Sequence, residues 1–254
     1  MRICALIGHT FYALGSILFV IFILPVVLLL TPFGQAAYNF LHCAMHSYLA
    51  FLTRFFLPAL GIYTLKEFSG FEKLPGDKPV IVVANHRGKL DGPFLLGKLK
   101  NTVALIKSKY AVSPVYAILV KKLYFISLTP RSRDALEKAL VQAKEVLARG
   151  KNLLVFPEGT RTASSRLLPF KELAFRIAKE TKTAICPVVI YSKYELMTKQ
   201  LKSFFPDKRN TFIIRCLPPV IPSDNEDPAE LTARVREMMA KELAAIEKKE
   251  NGSL

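Results

Sequence analysis

Residues 79–91, Pro79-Val80-Ile81-Val82-Val83-Ala84-Asn85-His86-Arg87-Gly88-Lys89-Leu90-Asp91, pass within a few positions from an unbroken β-branched run to a polar loop carrying a histidine and an aspartate. The apolar run, opened by proline, reads as a β-strand. In an open α/β sheet, residues just past the C-terminal end of a strand face the crevice where ligands bind. The loop after this strand is therefore the first place to look for chemistry.

Outward from it the pattern repeats. Thr102–Ile106, Tyr124–Leu128, Asn152–Phe156, Ala184–Ile190 and Thr211–Cys216 are five further short runs with strand character. Between Tyr124–Leu128 and Asn152–Phe156, Leu136, Ala139, Leu140, Ala143, Val146 and Leu147 mark one face of a helix that stops at Gly150. The last helix opens with Asp227-Pro228-Ala229-Glu230, a capping-box arrangement with proline in the first turn. Strands alternating with helices predict an α/β domain with a largely parallel sheet flanked by helices.

The N-terminal quarter is different. Of 254 residues, 51% are apolar, and none between Arg2 and Arg54 is Asp, Glu, Lys or Arg. Ile3 to Leu30 is long enough to cross a bilayer, which needs about 20 apolar residues. In Gln35 to Gly61 the residues Gln35, Asn39, His42, His46 and Thr53 recur at helical spacing as a polar stripe. This second helix is expected to lie in the membrane interface or to pair with the first. Residues 1–61 are thus expected to be a membrane helix or helical hairpin, and 62–254 the α/β domain. A cleaved leader fits poorly, because its apolar core runs to only about 7–15 residues.

Charge points the same way. Residues 55–223 hold 29 Lys or Arg against 12 Asp or Glu. Such a surface attracts anionic headgroups, nucleic-acid phosphates or acidic proteins alike, and the apolar N-terminus favours lipid. Cys4, Cys43, Cys186 and Cys216 form no C-x-x-C pair and are read as buried reduced thiols. No ligand set completes a metal site around His42 and His46.

Two loops could carry chemistry. His86 and Asp91 would stand about 140° apart on a helix, so they meet only if the chain turns between them, as Gly88 permits. An imidazole held by a carboxylate is a general base; alternatively, Asp91 caps a helix running to Lys98 and His86 is an ordinary loop residue. After the strand Asn152–Phe156 comes Pro157-Glu158-Gly159-Thr160-Arg161, where Arg161 offers a guanidinium suited to phosphate and Glu158 could orient it or bind a hydroxyl. The bland reading is a turn with a solvated arginine. Gly92 to Lys98 mimics a phosphate loop, but Leu99 stands where Ser or Thr must hold magnesium.

Asn85-His86-x4-Asp91, then Phe156-Pro157-Glu158-Gly159-Thr160-Arg161, Leu167-Leu168-Pro169-Phe170-Lys171 and Ile185-Cys186-Pro187-Val188, resemble the 1-acyl-glycerol-3-phosphate acyltransferase family of glycerolipid acyltransferases in order and spacing. The resemblance covers about residues 65–220. It implies an acyltransferase domain in which His86 is the base, Asp91 its partner, and Glu158, Gly159, Thr160 and Arg161 bind the acceptor's phosphate. Asn85 and Lys107 are placed near substrate by the same resemblance. The family's second motif, Gly-x-x-Phe with a following Asp and Arg, is replaced by Tyr124-Phe125-Ile126-Ser127-Leu128-Thr129-Pro130-Arg131. Arg131 or Arg133 would then take the missing arginine's role.

The expected activity is acyl transfer from acyl-CoA or acyl carrier protein to lysophosphatidic acid, giving phosphatidic acid at the cytosolic face of a membrane. No metal or cofactor and no nucleic-acid partner are expected. The readings kept beside it are another lysophospholipid or lyso-aminolipid acceptor, and a non-catalytic basic membrane protein binding anionic lipid or nucleic acid.

Overall fold

The computed structural model describes residues 2–252 apart from 31, 33, 77, 113–116, 130–131, 163–165, 199–200 and 205–206. Its helices are α1 Arg2–Leu30, α2 Gln35–Phe51, α3 Leu57–Ala59, α4 Asp91–Leu96, α5 Ser108–Ala111, α6 Ala117–Lys122, α7 Arg133–Ala148, α8 Leu173–Thr181 and α9 Pro228–Asn251. The strands are β1 Tyr63–Ser69, β2 Ile81–Ala84, β3 Thr102–Lys107, β4 Ile126–Leu128, β5 Asn152–Val155, β6 Ile185–Ser192 and β7 Asn210–Cys216. They form one seven-stranded sheet in the order β1-β7-β6-β2-β5-β3-β4. Among the described strands only the β6–β7 pair is antiparallel. The largely parallel sheet read from the sequence is present.

Six of the strands fall where the sequence places them, within two residues at each end. The seventh, β1, has no counterpart in the reading. Lys66 and Glu67 stand side by side in it, and a register shift between Leu65 and Glu67 breaks the alternation that would have marked it as a strand.

β2 lies near the middle of the sheet, buried along its whole length. Its residues alternate between two cores. Ile81 and Val83 face α7, α8 and α9, while Val82 and Ala84 face Phe94 and Leu95 of α4 with Leu52 and Leu57. Helices on both faces explain why this strand reads as continuously apolar. The N-termini of α7 and α9 are closed by Ser132, accepting from Ala135 N at 3.2 Å, and by the full Asp227/Glu230 capping box.

The second N-terminal helix pairs with the first, as one of its two readings had it. α1 stacks Phe11 on Phe56 and Phe19 on Tyr48. The later part of the stripe turns inward, with His42 buried against Tyr38, His46 Nδ1 donating to Leu96 O at 3.1 Å and Thr53 wholly enclosed, whereas Gln35 and Asn39 stay exposed. A five-residue π-helical turn, Leu52–Phe56, ends α2, and the buried Tyr63 hydroxyl donates to Thr53 O there at 2.6 Å. The end of α2 and the π-helical turn are therefore packed onto the α/β layers. Outward, α1 exposes Leu6, Leu14, Ile21, Phe22, Leu28 and Leu29. Cys186 and Cys216 are buried free thiols, which burial pushes up to about 12, but Cys43 is exposed and does not fit the buried reading.

A close approach between α2 and the domain lies at Gly97, whose carbonyl accepts from Arg54 Nη2 at 2.9 Å. A Cβ there would stand 2.7 Å from Ala50 N and 2.9 Å from Leu49 C. Gly97→Ala is expected to cost about 1–3 kcal/mol by overpacking, seen as a Tm lowered by several degrees in a detergent-solubilised melt. An unchanged Tm would show that α2 is not clamped to the domain at this point.

Candidate active site

β2 and β5 are neighbouring parallel strands, so the loops that leave their C-terminal ends emerge side by side. The polypeptide is held at that exit by Asn85, which is 1% exposed. Its Nδ2 donates to Ile190 O at 2.9 Å and its Oδ1 accepts from Ile190 N at 2.7 Å. The side-chain amide thus continues the β2–β6 ladder for one more step. Asn85, expected near substrate, has both polar atoms bonded to backbone.

Beyond it the chain turns back on itself. Asp91 is fully buried, and its Oδ2 accepts from His86 Nδ1 at 2.8 Å, Arg87 N at 2.6 Å and Gly88 N at 2.8 Å. A carboxylate capping α4 would accept from N–H groups further along the helix, and Asp91 makes no such bond. It is used backward, on the loop. Because an ionised carboxylate only accepts, Nδ1 carries the proton and Nε2 keeps its lone pair. The His86 side chain is 23% exposed and its ring stacks on Phe156 at 4.3 Å. The imidazole is therefore fixed in plane and tautomer with one nitrogen available for a proton, which is the arrangement a general base requires.

The second loop supports the first. Glu158 Oε1 accepts from His86 N at 2.8 Å and Oε2 from Leu168 N at 3.1 Å. Thr162 N returns a bond to His86 O at 2.9 Å. Burial pushes the Glu158 carboxyl above its usual range, and the two N–H donors pull it back. Both of its oxygens hold backbone, so Glu158 fastens three loop segments together. Gly159, at φ 62°, closes the turn with Gly159 N on Phe156 O at 3.0 Å, and Thr160 follows it half-buried. Lys171 crosses over the Gly159 backbone. Arg161 is half-buried, and its Nη1 donates to Met197 O at 3.0 Å and Thr198 O at 3.1 Å.

His86, Asp91, Glu158, Gly159, Thr160 and Arg161 are thus brought together. Lys107 is exposed at the end of β3, one strand further out than β5, and Arg133 is exposed at the start of α7. Arg131 lies outside the described residues. Phe156, Lys89 and Met197 join the site without having been singled out for it. For Phe156 the signal was its place directly before Pro157, whereas nothing local marks Met197. Among the described residues no group of three His, Cys, Asp or Glu is placed to hold a metal.

A family model described as Acyltransferase matches residues 66–191, a span that contains both loops. The chain is 34% identical over 179 residues to the 1-acyl-sn-glycerol-3-phosphate acyltransferase of Saccharomyces cerevisiae, covering 66% of this chain and 57% of that protein. The chain belongs to the acyltransferase family. To the alpha form of 1-acyl-sn-glycerol-3-phosphate acyltransferase from Homo sapiens it is 31% identical over 182 residues, covering 68% of this chain and 62% of that protein. The chain thus spans roughly three fifths of the length of these curated relatives. The crystal structure of the 1-acyl-sn-glycerophosphate acyltransferase of Thermotoga maritima has the same fold, with a TM-score of 0.78 at 23% identity over 97% of this chain and 98% of that one.

The structural weight on Glu158 gives a test. In Glu158→Gln one of the two N–H groups must face an amide N–H2 instead of an oxygen. An unsatisfied buried donor costs about 1–3 kcal/mol, so the variant of this acyltransferase-family chain is expected to melt several degrees lower. A melt identical to wild type would mean that the carboxylate is not fastening the loops.

Proposed function

We propose that the chain transfers a fatty acyl group from an acyl thioester, acyl-CoA or acyl carrier protein, to the free hydroxyl of lysophosphatidic acid, giving phosphatidic acid. The observation that carries this reading is the His86–Asp91 pair, oriented with Nε2 available and set beside the Arg161 loop. The names of the curated relatives support the choice of acceptor.

In the step proposed, Nε2 of His86 takes the hydroxyl proton as the oxygen attacks the thioester carbonyl. The tetrahedral intermediate collapses with cleavage of the carbon–sulfur bond, and the imidazolium returns the proton to the departing thiolate. Asp91 stabilises the imidazolium while it exists. Arg161 pairs with the acceptor phosphate and so fixes the hydroxyl near the base. No metal or cofactor of the protein's own enters this step.

The site serves lipids at a bilayer. α1 is about 43 Å long at helical rise, more than the roughly 30 Å of a hydrocarbon core, and its outward face is apolar. That face is stable only against lipid or protein. The basic block that follows suits the cytosolic side, where Lys and Arg accumulate and where acyl thioesters are soluble. The altered second motif, which lacks both the glycine and the aspartate, favours one further reading, a lysophospholipid or lyso-aminolipid acceptor other than lysophosphatidic acid.

His86→Ala and Asp91→Asn are expected to lower kcat with lysophosphatidic acid by about 10²–10⁴-fold, with equal extraction and expression. Wild-type turnover in His86→Ala would refute the mechanism. A panel of purified lysolipid acceptors with one donor decides the acceptor: the highest kcat/KM is expected for lysophosphatidic acid, and a higher value for another lysolipid would replace it.

A further inference from the structure

A cluster of cations lies at the opposite end of the sheet from His86. β2, β3 and β5 are parallel, and the segments that lead into them line a cavity of about 540 Å³. Lys78 stands ahead of β2, Lys98 and Lys100 between α4 and β3, and Asn152 at the start of β5, with Phe71 and Leu74 completing the wall. The volume falls in the range of about 300–1,000 Å³ that small-molecule sites occupy.

Side-chain amides fix the floor. Asn152 Oδ1 accepts from Val80 N at 3.1 Å and its Nδ2 donates to Lys100 O at 3.2 Å. Asn101, in the left-handed region at φ 53°, donates from Nδ2 to Gly150 O at 3.1 Å. One amide therefore holds the two segments that bear Lys78 and Lys100. Lys98 is held from the other side, its ammonium 5.5 Å from the centroids of both Phe68 and Phe71. The Arg54 guanidinium stands 5.3 Å from the same Phe68 ring, and its Nε is buried without a hydrogen-bond partner. An aromatic ring holds a cation without neutralising it. Among the described residues none of these four cations pairs with a carboxylate, and Glu72 is the one carboxylate on the described lining. Cations gathered and fixed in this way create a strong local field for an anion.

The surroundings fit an anion borne on an apolar body. Phe51 and Phe55, which flank Arg54 in the chain, are exposed. Phe51 lies 6.2 Å from Phe56, and Phe56 stacks on Phe11 of α1 at 3.9 Å, so these rings adjoin the helix whose outward face is apolar. Cations at the margin of an apolar surface match a lipid headgroup above its chains.

We propose that Lys78, Lys98 and Lys100 form a phosphate-binding site separate from the catalytic one, and that its ligand is the headgroup of an anionic phospholipid. The proposal does not use the acyl-transfer reading, because this cavity and the catalytic loops lie at opposite ends of β2 and β5.

The chain has no tryptophan, so Pro75→Trp, at an exposed position on the lining, gives the purified full-length protein a single fluorescent reporter. In zwitterionic detergent, dihexanoylphosphatidylglycerol is expected to change its emission saturably, at a concentration about tenfold below that needed for dihexanoylphosphatidylcholine or inorganic phosphate. Lys78→Gln, Lys98→Gln and Lys100→Gln together should weaken binding of the anionic lipid at least about tenfold, the loss of charge-assisted contacts. Arg161→Ala in the reporter background should leave the titration unchanged. Equal affinity for phosphatidylcholine overturns the proposal by removing the role of charge, and equal affinity for inorganic phosphate overturns it by making the ligand a free anion. Binding retained in the triple glutamine variant, or lost in Arg161→Ala, overturns the separate site. Should the glutamine variant melt early, the triple arginine variant decides: binding kept supports the site, and binding lost with the charge retained overturns it.

Discussion

One carboxylate oxygen organises the site. Oδ2 of Asp91 receives a ring nitrogen and two consecutive backbone N–H groups from the five residues before it, in a position without solvent. Hydrogen bonds to an ionised acceptor are about twice as strong as neutral ones, and a buried carboxylate without donors would be costly. The same contacts that stabilise the charge therefore fold the loop and fix the histidine's tautomer. The fold of the loop and its chemistry cannot be separated, because removing the acceptor strands two buried N–H groups as well as the imidazole.

Around that centre, polar side chains take the places of missing backbone partners. β2 ends before β6 does, and the amide of Asn85 supplies the next pair of bonds to Ile190. The β5 loop has no strand to pair with, and the carboxylate of Glu158 supplies acceptors for His86 N and Leu168 N. The sequence marks both residues as polar without showing the backbone groups that they satisfy. Each is buried, each has its polar atoms satisfied by main chain, and each holds still a neighbour that reaches solvent. Preorganisation of this kind lets the base and the cation keep their separation before substrate arrives.

The sheet was legible because buried parallel strands are short apolar runs between helices, and β2, β5 and β6 could be placed from composition alone. β1 was not, because its bulge and its Lys66-Glu67 pair erase the period on which such a reading depends. The polar stripe of α2 was visible, but its partner was not: periodicity reports that one face differs without saying whether lipid headgroups, water or a domain will cover it. The His86 and Asp91 positions were legible for the same reason that their loop is short, since both partners lie within six residues. The bonds of Arg161 to Met197 and Thr198 span 36 and 37 residues, and no local signal announces a carbonyl as a partner.

Rigidity also joins the apolar N-terminus to the site. α1 packs on α2, α2 is fitted against Leu96 and Gly97 at the end of α4, and α4 begins at Asp91. On the other side, α1 touches the 3-10 turn Leu201–Phe204, whose last ring lies under the Lys89 ammonium. Both routes run through close contacts rather than a flexible linker, so the outward apolar face of α1 and the mouth of the site keep a fixed relation. Under the proposed acyl transfer to a lysolipid this would matter more than affinity. A lysolipid keeps its chain in the bilayer and presents its headgroup at a set height, so in that proposal a base fixed relative to α1 would meet the hydroxyl without a further search. A tethered domain would have to find that orientation at every turnover.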